Sequence, residues 1–462
     1  VSLGETLRGH CPSILVSALG AAFGSCLLTT IAGLQSSIEG IFGPGASFRT
    51  AVFLLHIVAG TFFGIALFVG AIVTANTFSA VVAGRVQTIA LYRLLGASAQ
   101  SQRRVFLREG GMVGIIGAVT GVLVGIVLGL SLLAALVANG SLTAAPASVP
   151  ATVAFPLVAG VVTTTAAAWV GSRAVLAVSP LQAIEAAQEA PFGAVRRRGI
   201  RTGVGFFFVI AGLLGLALGV VVSLDNPNGL FIAMLGGMAS FTGFVICANL
   251  FIPRALNLVG KLFGSGPESR LARANSLRNP ERSTRASIGI VIGVTLVTMF
   301  CVALSSMNSF FTPEVQADPD NVAAFQAMTA VAVGLVGFSV IIAAVGVVND
   351  LSISVLQRRR EIGLLRALGF TGPQVQRTIV TEAAHMAITS VLLGLLLGTT
   401  YGWVGVQCLY SRPMAGGGFV VPTVPPLLVA SLIAATVVLT LAAVVVPART
   451  ATAVSPIDAL QR

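Results

Sequence analysis

The stretch Asn349–Glu382, NDLSISVLQRRREIGLLRALGFTGPQVQRTIVTE, is the most charged segment that lies between two long apolar ones. Arg358, Arg359, Arg360 and Glu361 stand in a row, Ile362, Leu364 and Leu365 follow, and Gly369, Gly372 and Pro373 break the run. An echo of it, NTFSAVVAGRVQTIALYRLLGASAQSQRRVFLRE, occupies Asn76–Glu109 at a constant shift of 273 positions (76 to 349, 109 to 382). Asn76, Ser79, Arg85, Ile89, Leu91, Arg93, Leu95, Gly96, Arg104 and Glu109 all recur, as Asn349, Ser352, Arg358, Ile362, Leu364, Arg366, Leu368, Gly369, Arg377 and Glu382. The chain therefore reads as an internal duplication, with one copy of this element in each half.

Both copies read as helical. In the first, Phe78 to Leu95 is expected to form a helix capped at Asn76 and stopped by Gly96, with a second short helix starting at Ser98. In the second, Leu351, Val355, Ile362 and Leu365 keep a helical rhythm, and Glu361 lies three residues after Arg358, a spacing that suits a weak surface ion pair. The apolar stripe needs a headgroup boundary or a protein to cover it.

The rest of the chain explains why such segments stand out. Hydrophobic residues make up 56% of the 462, charged residues only 9%, and mean hydropathy is +0.97. A soluble domain carries about 25% charged residues, so this composition excludes a water-facing globule. Spans need roughly 20 apolar residues each. Ten runs qualify, near 14–34, 52–75, 110–136, 153–172, 203–223, 230–252, 287–308, 326–348, 383–407 and 425–446. The first has no cleavage-like site after it and is expected to be a retained span and not a signal peptide.

With the N-terminus inside, the inner segments are 1–13, 76–109, 173–202, 253–286, 349–382 and 447–462. Of the 27 Lys and Arg, all but Arg49 and Arg412 then fall inside, while Glu39, Asp225, Glu314, Asp318 and Asp320 fall outside. That asymmetry places both termini in the cytoplasm. It also accounts for the net charge of +12 as orientation and not as nucleic-acid binding. The expected fold class is an all-α polytopic membrane protein of ten transmembrane helices, two parallel four-span repeats joined by two linking spans. The expected divisions are 1–200, 201–253 and 254–462, with small outer loops at 35–51, 137–152, 309–325 and 408–424. Ser179-Pro180 and Ser455-Pro456 each announce a short amphipathic helix after the last span of a half.

No soluble catalytic constellation is present. The sequence holds no GxxxxGK[ST], HExxH or GxSxG motif. Cys11, Cys26, Cys247, Cys301 and Cys408 lack metal-ligand spacing, and His10, His56 and His385 are scattered. No cofactor or metal is expected on this chain. The expected spans are almost free of charge, which leaves an ion-coupled carrier short of parts. Energy supplied by another protein is the more natural reading.

Arg358–Gly369, RRREIGLLRALG, with Gln374–Glu382 after it, resembles the signature of the FtsX/MacB-type ABC transporter permeases, as do the Ser-Pro pairs and NSLRNPERS (275–283) ahead of the seventh run. The resemblance implies a permease without an ATPase of its own. A separate cytoplasmic ABC ATPase homodimer, which binds the ATP and Mg, would dock beneath it on the helix between the second and third spans of each half. On this chain it implies docking residues Arg85, Gln87, Ile89, Arg93 and Gly96 in one half. In the other they are Arg358, Arg359, Arg360, Glu361, Ile362, Arg366 and Gly369. The two surfaces are unequal, since Val86, Gln87 and Thr88 stand where Arg359, Arg360 and Glu361 do.

Family members usually carry a sizeable extracytoplasmic domain, and the short outer loops here point instead to export or extraction of an amphiphile from the bilayer. The alternatives are a non-transporting transmitter of force to a further membrane or envelope partner, and an ion-coupled carrier. The implied location is the bacterial cytoplasmic membrane, crossed many times.

Overall fold

A computed structural model describes residues 11–42, 46–138, 150–177, 194–226, 228–262, 280–310, 371–410, 420–427 and 429–435, and single positions 274, 337, 340, 341, 344 and 438. Among them the fold is all-α. The helices are α1 (Cys11–Phe42), α2 (Ala46–Gly84), α3 (Val86–Leu94), α4 (Ala99–Ala138), α5 (Ala154–Gly171), α6 (Arg173–Ala177), α7 (Ala194–Ser223), α8 (Gly229–Leu262), α9 (Pro280–Phe310) and α10 (Gly372–Tyr410). A single 3-10 turn, Ala151–Val153, leads into α5.

Seven stretches are long and apolar enough to cross a membrane: Ser13–Gln35, Ala99–Ala138, Ala151–Gly171, Gly199–Ser223, Gly229–Lys261, Ser287–Ser306 and Gln376–Leu409. They coincide with the first, third to seventh and ninth expected runs. The second run lies within α2, where Phe63–Ser79 is a shorter apolar helix. Most of the run 326–348, half of 425–446, the segment 349–370 and both Ser-Pro helices lie outside the described residues.

Described residues up to Ala177 form one compact unit and those from Ala194 onward a second. In the first unit α1 packs on α2, α4 and α5. Gly117, Gly121, Gly125 and Gly129 recur every four residues, which puts them on one face of α4. A methyl on Gly121 would meet the Ala18 carbonyl, and one on Gly125 the Ala22 carbonyl. The missing side chains let the two backbones approach, the usual way membrane helices gain packing where lipid removes the hydrophobic drive. Thr164 of α5 adds a buried hydrogen bond, its Oγ1 donating to Ser17 Oγ at 3.0 Å.

In the second unit α7 and α8 form a hairpin on the same principle, with Gly212, Gly215 and Gly219 closing against Ser240, Gly236 and Ala233. α8 in turn packs on α9 and α10, where Ser240 Oγ lies 2.9 Å from Tyr401 Oη. The two linking spans thus sit in one unit with α9 and α10.

The α9–α10 pair reproduces the α1–α4 pair at the shift of 273. α4 begins at Ala99 and α10 at Gly372, its counterpart. Gly394, Gly398 and Gly402 answer Gly121, Gly125 and Gly129. The contacts shift with them. Gly125 faces the Ala22 carbonyl and Gly398 the Thr295 carbonyl, while Gly129 faces the Cys26 carbonyl and Gly402 the Met299 carbonyl. Both long helices also start alike. Ser98 Oγ accepts from Ser101 N–H at 3.0 Å, and Thr371 N–H donates to Gln374 Oε1 at 2.9 Å. These are two halves of the capping-box device.

One local expectation changes. Asn76 caps nothing, because α2 runs through it to Gly84. The flanking hydroxyls bond back along the helix instead, Thr77 Oγ1 to Val73 O at 2.9 Å and Ser79 Oγ to Ala75 O at 2.8 Å. The helix expected to start at Ser98 and lead into the third span is continuous with that span. It is the first turns of α4, since no breaker separates Ala99 from the third span.

Candidate functional site

The candidate site is built on α3, nine residues between two sharp breaks. The first break is at Arg85, whose backbone sits at φ −107° and ψ 13°. Its N–H is shared between the Val81 and Val82 carbonyls, each at 3.1 Å. The second is at Gly96, with φ +95°, a conformation that a Cβ would strain. Gly96 N–H donates to Arg93 O at 3.1 Å and Ala97 N–H to Tyr92 O at 2.9 Å. That is the paired closure of a glycine-terminated helix, so the stop expected at Gly96 has its physical cause.

One face of α3 is mounted on the membrane helices. Ile89 and Ala90 are buried in a small core with Val82 of α2, Phe106 of α4 and Val175 of α6. Arg85 braces the same corner. Its Nη1 lies 3.6 Å from Glu109 Oε2, and its guanidinium carbon is 5.9 Å from the centre of the Phe106 ring. Arg85 is 40% exposed, so this ion pair contributes about 1 kcal/mol or less. Its use is geometric, since it ties the start of α3 to α4.

The other face is open. Leu91, Tyr92, Leu94 and Leu95 are exposed, Leu95 by 77%. They lie at i, i+1, i+3 and i+4, one side of a helix. Exposed leucines are ordinary within a span, where lipid covers them. These sit beyond the break that ends α2, among Arg85, Arg93, Arg103 and Arg104.

The structure therefore spreads the sequence-derived residues over different places. Arg85 and Ile89 face the mounting, Arg93 lies half-buried in the last turn of α3, and Gly96 forms its stop. The side chain of Gln87 and all of Arg358, Arg359, Arg360, Glu361, Ile362, Arg366 and Gly369 lie outside the described residues. Leu91, Tyr92, Leu94 and Leu95 fall within the expected docking stretch 87–96, but the sequence did not single them out as its exposed face. The available signal was the run LYRLL on a segment otherwise marked by arginine.

A profile of the "FtsX-like permease C-terminal" family matches residues 60–180 and 333–456, just over half of the chain. The chain belongs to the FtsX-like permease family. Its first matched segment runs from α2 to α6 and holds α3 entire, and its second holds Asn349–Glu382. This FtsX-like permease is 34% identical over 71 residues to an uncharacterized ABC transporter permease of Methanocaldococcus jannaschii, covering 15% of this chain and 18% of that one. It is 27% identical over 255 residues to the macrolide export ATP-binding/permease protein MacB of Shewanella oneidensis, covering 54% and 36%. With the ABC transporter permease YtrF of Bacillus subtilis it shares 31% identity over 64 residues, 14% of each chain. The chain spans at most about a third of the length of these relatives. It is an ABC-type, multi-pass membrane permease with bacterial relatives, and these 462 residues hold no catalytic or nucleotide-binding motif of their own. Among the described residues no group of His, Cys, Asp and Glu could hold a metal ion.

Proposed function

We propose that the chain is the membrane subunit of an ABC transporter, driven by a separate cytoplasmic ATPase dimer that grips α3 in the first half and the 358–369 segment in the second. The observation that carries this reading is the two-faced build of α3. Its buried face is locked to α2, α4 and α6, and its open face exposes Leu91, Tyr92, Leu94 and Leu95 beyond the break that ends α2. An apolar tip in water favours a protein partner, because contact with one removes that surface from solvent. The arginine count on these segments supports a cytoplasmic side for the tip, where ATP is.

The mechanism is mechanical. ATP binding closes the partner dimer, the gripped helix is displaced, and its mounting residues carry the displacement into α4 through Phe106 and the Arg85–Glu109 pair, and into α6 through Val175. In the second half Arg358 and Glu382 stand at the sequence positions that match Arg85 and Glu109. The cargo is an amphiphile drawn from the bilayer, since the outer links are too short for a soluble substrate domain. The test is ATPase stimulation and co-purification in lipid nanodiscs. Leu91→Asp with Leu95→Asp, and separately Arg360→Ala with Glu361→Ala, should weaken the complex while the chain still inserts. Unchanged binding and stimulation in both would remove the assignment. An ATPase cycle that moves no lipid-like cargo but alters a membrane partner would favour the force-transmitting reading.

A further inference from the structure

At the ends of α4 and α5 nearest α3, three side chains meet that the proposed coupling does not use. The guanidinium carbons of Arg103 and Arg173 lie 4.9 and 4.4 Å from the centre of the Trp169 ring. Arg103 Nη2 donates to the Trp169 carbonyl at 3.0 Å, and its Nε to Ser172 Oγ at 3.4 Å. Those bonds hold Arg103 across the C-terminus of α5, where a cation is favoured. They use part of its five donors. Arg173 is exposed, and its guanidinium has no acceptor among the described residues. Arg104 and Arg108 add exposed positive charge on α4, and the nearby carboxylate of Glu109 is engaged by Arg85.

We propose that Arg103, Trp169 and Arg173 hold the phosphate-bearing headgroup of an anionic phospholipid. Three features select a lipid over a soluble anion. Trp169 is 45% exposed and stands two residues before the end of a candidate span, at the level where tryptophan anchors a helix to the bilayer edge. The same two helices expose Val105, Met112, Val162 and Val170, an apolar wall along which acyl chains can lie. The arginine fork matches phosphate oxygens, and a negatively charged leaflet supplies them at high local concentration. The sequence of the second half does not repeat the cluster. Gln376 stands where Arg103 would recur, and no tryptophan follows Trp403. The site therefore belongs to one half only, and it does not depend on whether an ATPase docks on α3.

The chain has two tryptophans, Trp169 and Trp403, so fluorescence can read the site directly. The 462-residue chain is placed in vesicles of phosphatidylcholine doped with brominated phosphatidylglycerol or, separately, brominated phosphatidylcholine. The signal of a Trp169→Phe variant is subtracted from each. Bromine quenches Trp169 on contact. The expected result is saturable quenching at a low mole fraction of phosphatidylglycerol, with a clear preference over phosphatidylcholine. Arg173→Gln should lower that preference about fivefold, as one basic residue at the surface contributes. Arg173→Lys should keep part of it, and Arg103→Gln with Arg173→Gln should abolish it. Equal quenching by the two lipids would overturn the proposal, and so would a preference untouched in Arg173→Gln. Loss of the preference on adding millimolar inorganic phosphate would also overturn it, by assigning the site to a soluble anion.

Discussion

Where Gly117 of α4 lies against the Ile14 carbonyl of α1, the matching place in α10 holds Ser390, whose hydroxyl donates to the Ser287 carbonyl of α9 at 3.2 Å. The two pairs are spaced by the same glycines one, two and three turns further on, yet they depart at both ends. At the far end of the first pair the contact is apolar, Leu34 against Leu133. At the far end of the second, each helix makes polar contacts with the 420–423 segment. Gln407 Oε1 accepts from Val420 N–H at 2.8 Å, Trp403 Nε1 donates to Val420 O at 2.8 Å, and Thr423 N–H donates to Ser306 Oγ at 3.0 Å. Ala134 and Leu130 occupy the places of Gln407 and Trp403 in the first half. At the near end the sequences differ again, since Gln376 stands where Arg103 would recur and no tryptophan matches Trp169. The duplication kept the helix spacing and let the ends diverge. Backbone approach is set by residues that cannot change without a clash, whereas the ends meet different partners.

The largest expected effect breaks what the halves share. Gly125→Val and Gly398→Val should each destabilise their helix pair toward the upper end of about 1–3 kcal/mol, because the added side chain meets a backbone carbonyl and not a movable side chain. Thermal midpoints in detergent should fall by similar amounts, and a loss confined to one half would break the comparison.

The next effect sharpens the difference. Gln407→Leu strands the buried Val420 N–H and should cost about 1–2 kcal/mol. Ala134→Gln, its counterpart, should bring no gain. Hydrogen exchange at Val420 reads the first directly, and protection that survives the substitution would contradict the bond.

The smallest effect concerns the braces. Glu109→Gln should cost about 0.5 kcal/mol or less in stability, as expected for a half-exposed pair. Glu382, only 5% exposed, should cost more on the same change. A charge swap of Arg358 and Glu382 should restore what either single reversal loses, read as ATPase stimulation. Failure of the swap would mean that the second half lacks the brace seen in the first.

Much of this was legible in the residues. Seven of the ten expected spans followed from apolar length, and the likeness of the α9–α10 pair to the α1–α4 pair from matched glycines at one shift. The end of α3 followed from Gly96, which alone offers the φ that the closure needs. Asn76 misled because a good cap residue caps only where the backbone breaks, and the apolar run continues through it. The glycine stripes were visible as a four-residue period, but not which carbonyls they approach. The open face of α3 was hidden for a different reason. Leu91, Tyr92, Leu94 and Leu95 have the same chemistry as core residues, and only the burial of Ile89 and Ala90 on the opposite side shows which way the helix faces.

The central claim is that the tip of α3 meets a nucleotide-hydrolysing protein on the cytoplasmic side. The most direct test places a photoreactive phenylalanine analogue at Tyr92 or Leu95 in living cells, with one at the lipid-facing Leu123 as control, and identifies the adducts by mass spectrometry. Irradiation at Tyr92 and Leu95 should yield a covalent adduct to an ABC ATPase carrying its own phosphate-binding loop, absent at Leu123. Adducts to lipid alone, or to an extracytoplasmic protein, would contradict the account.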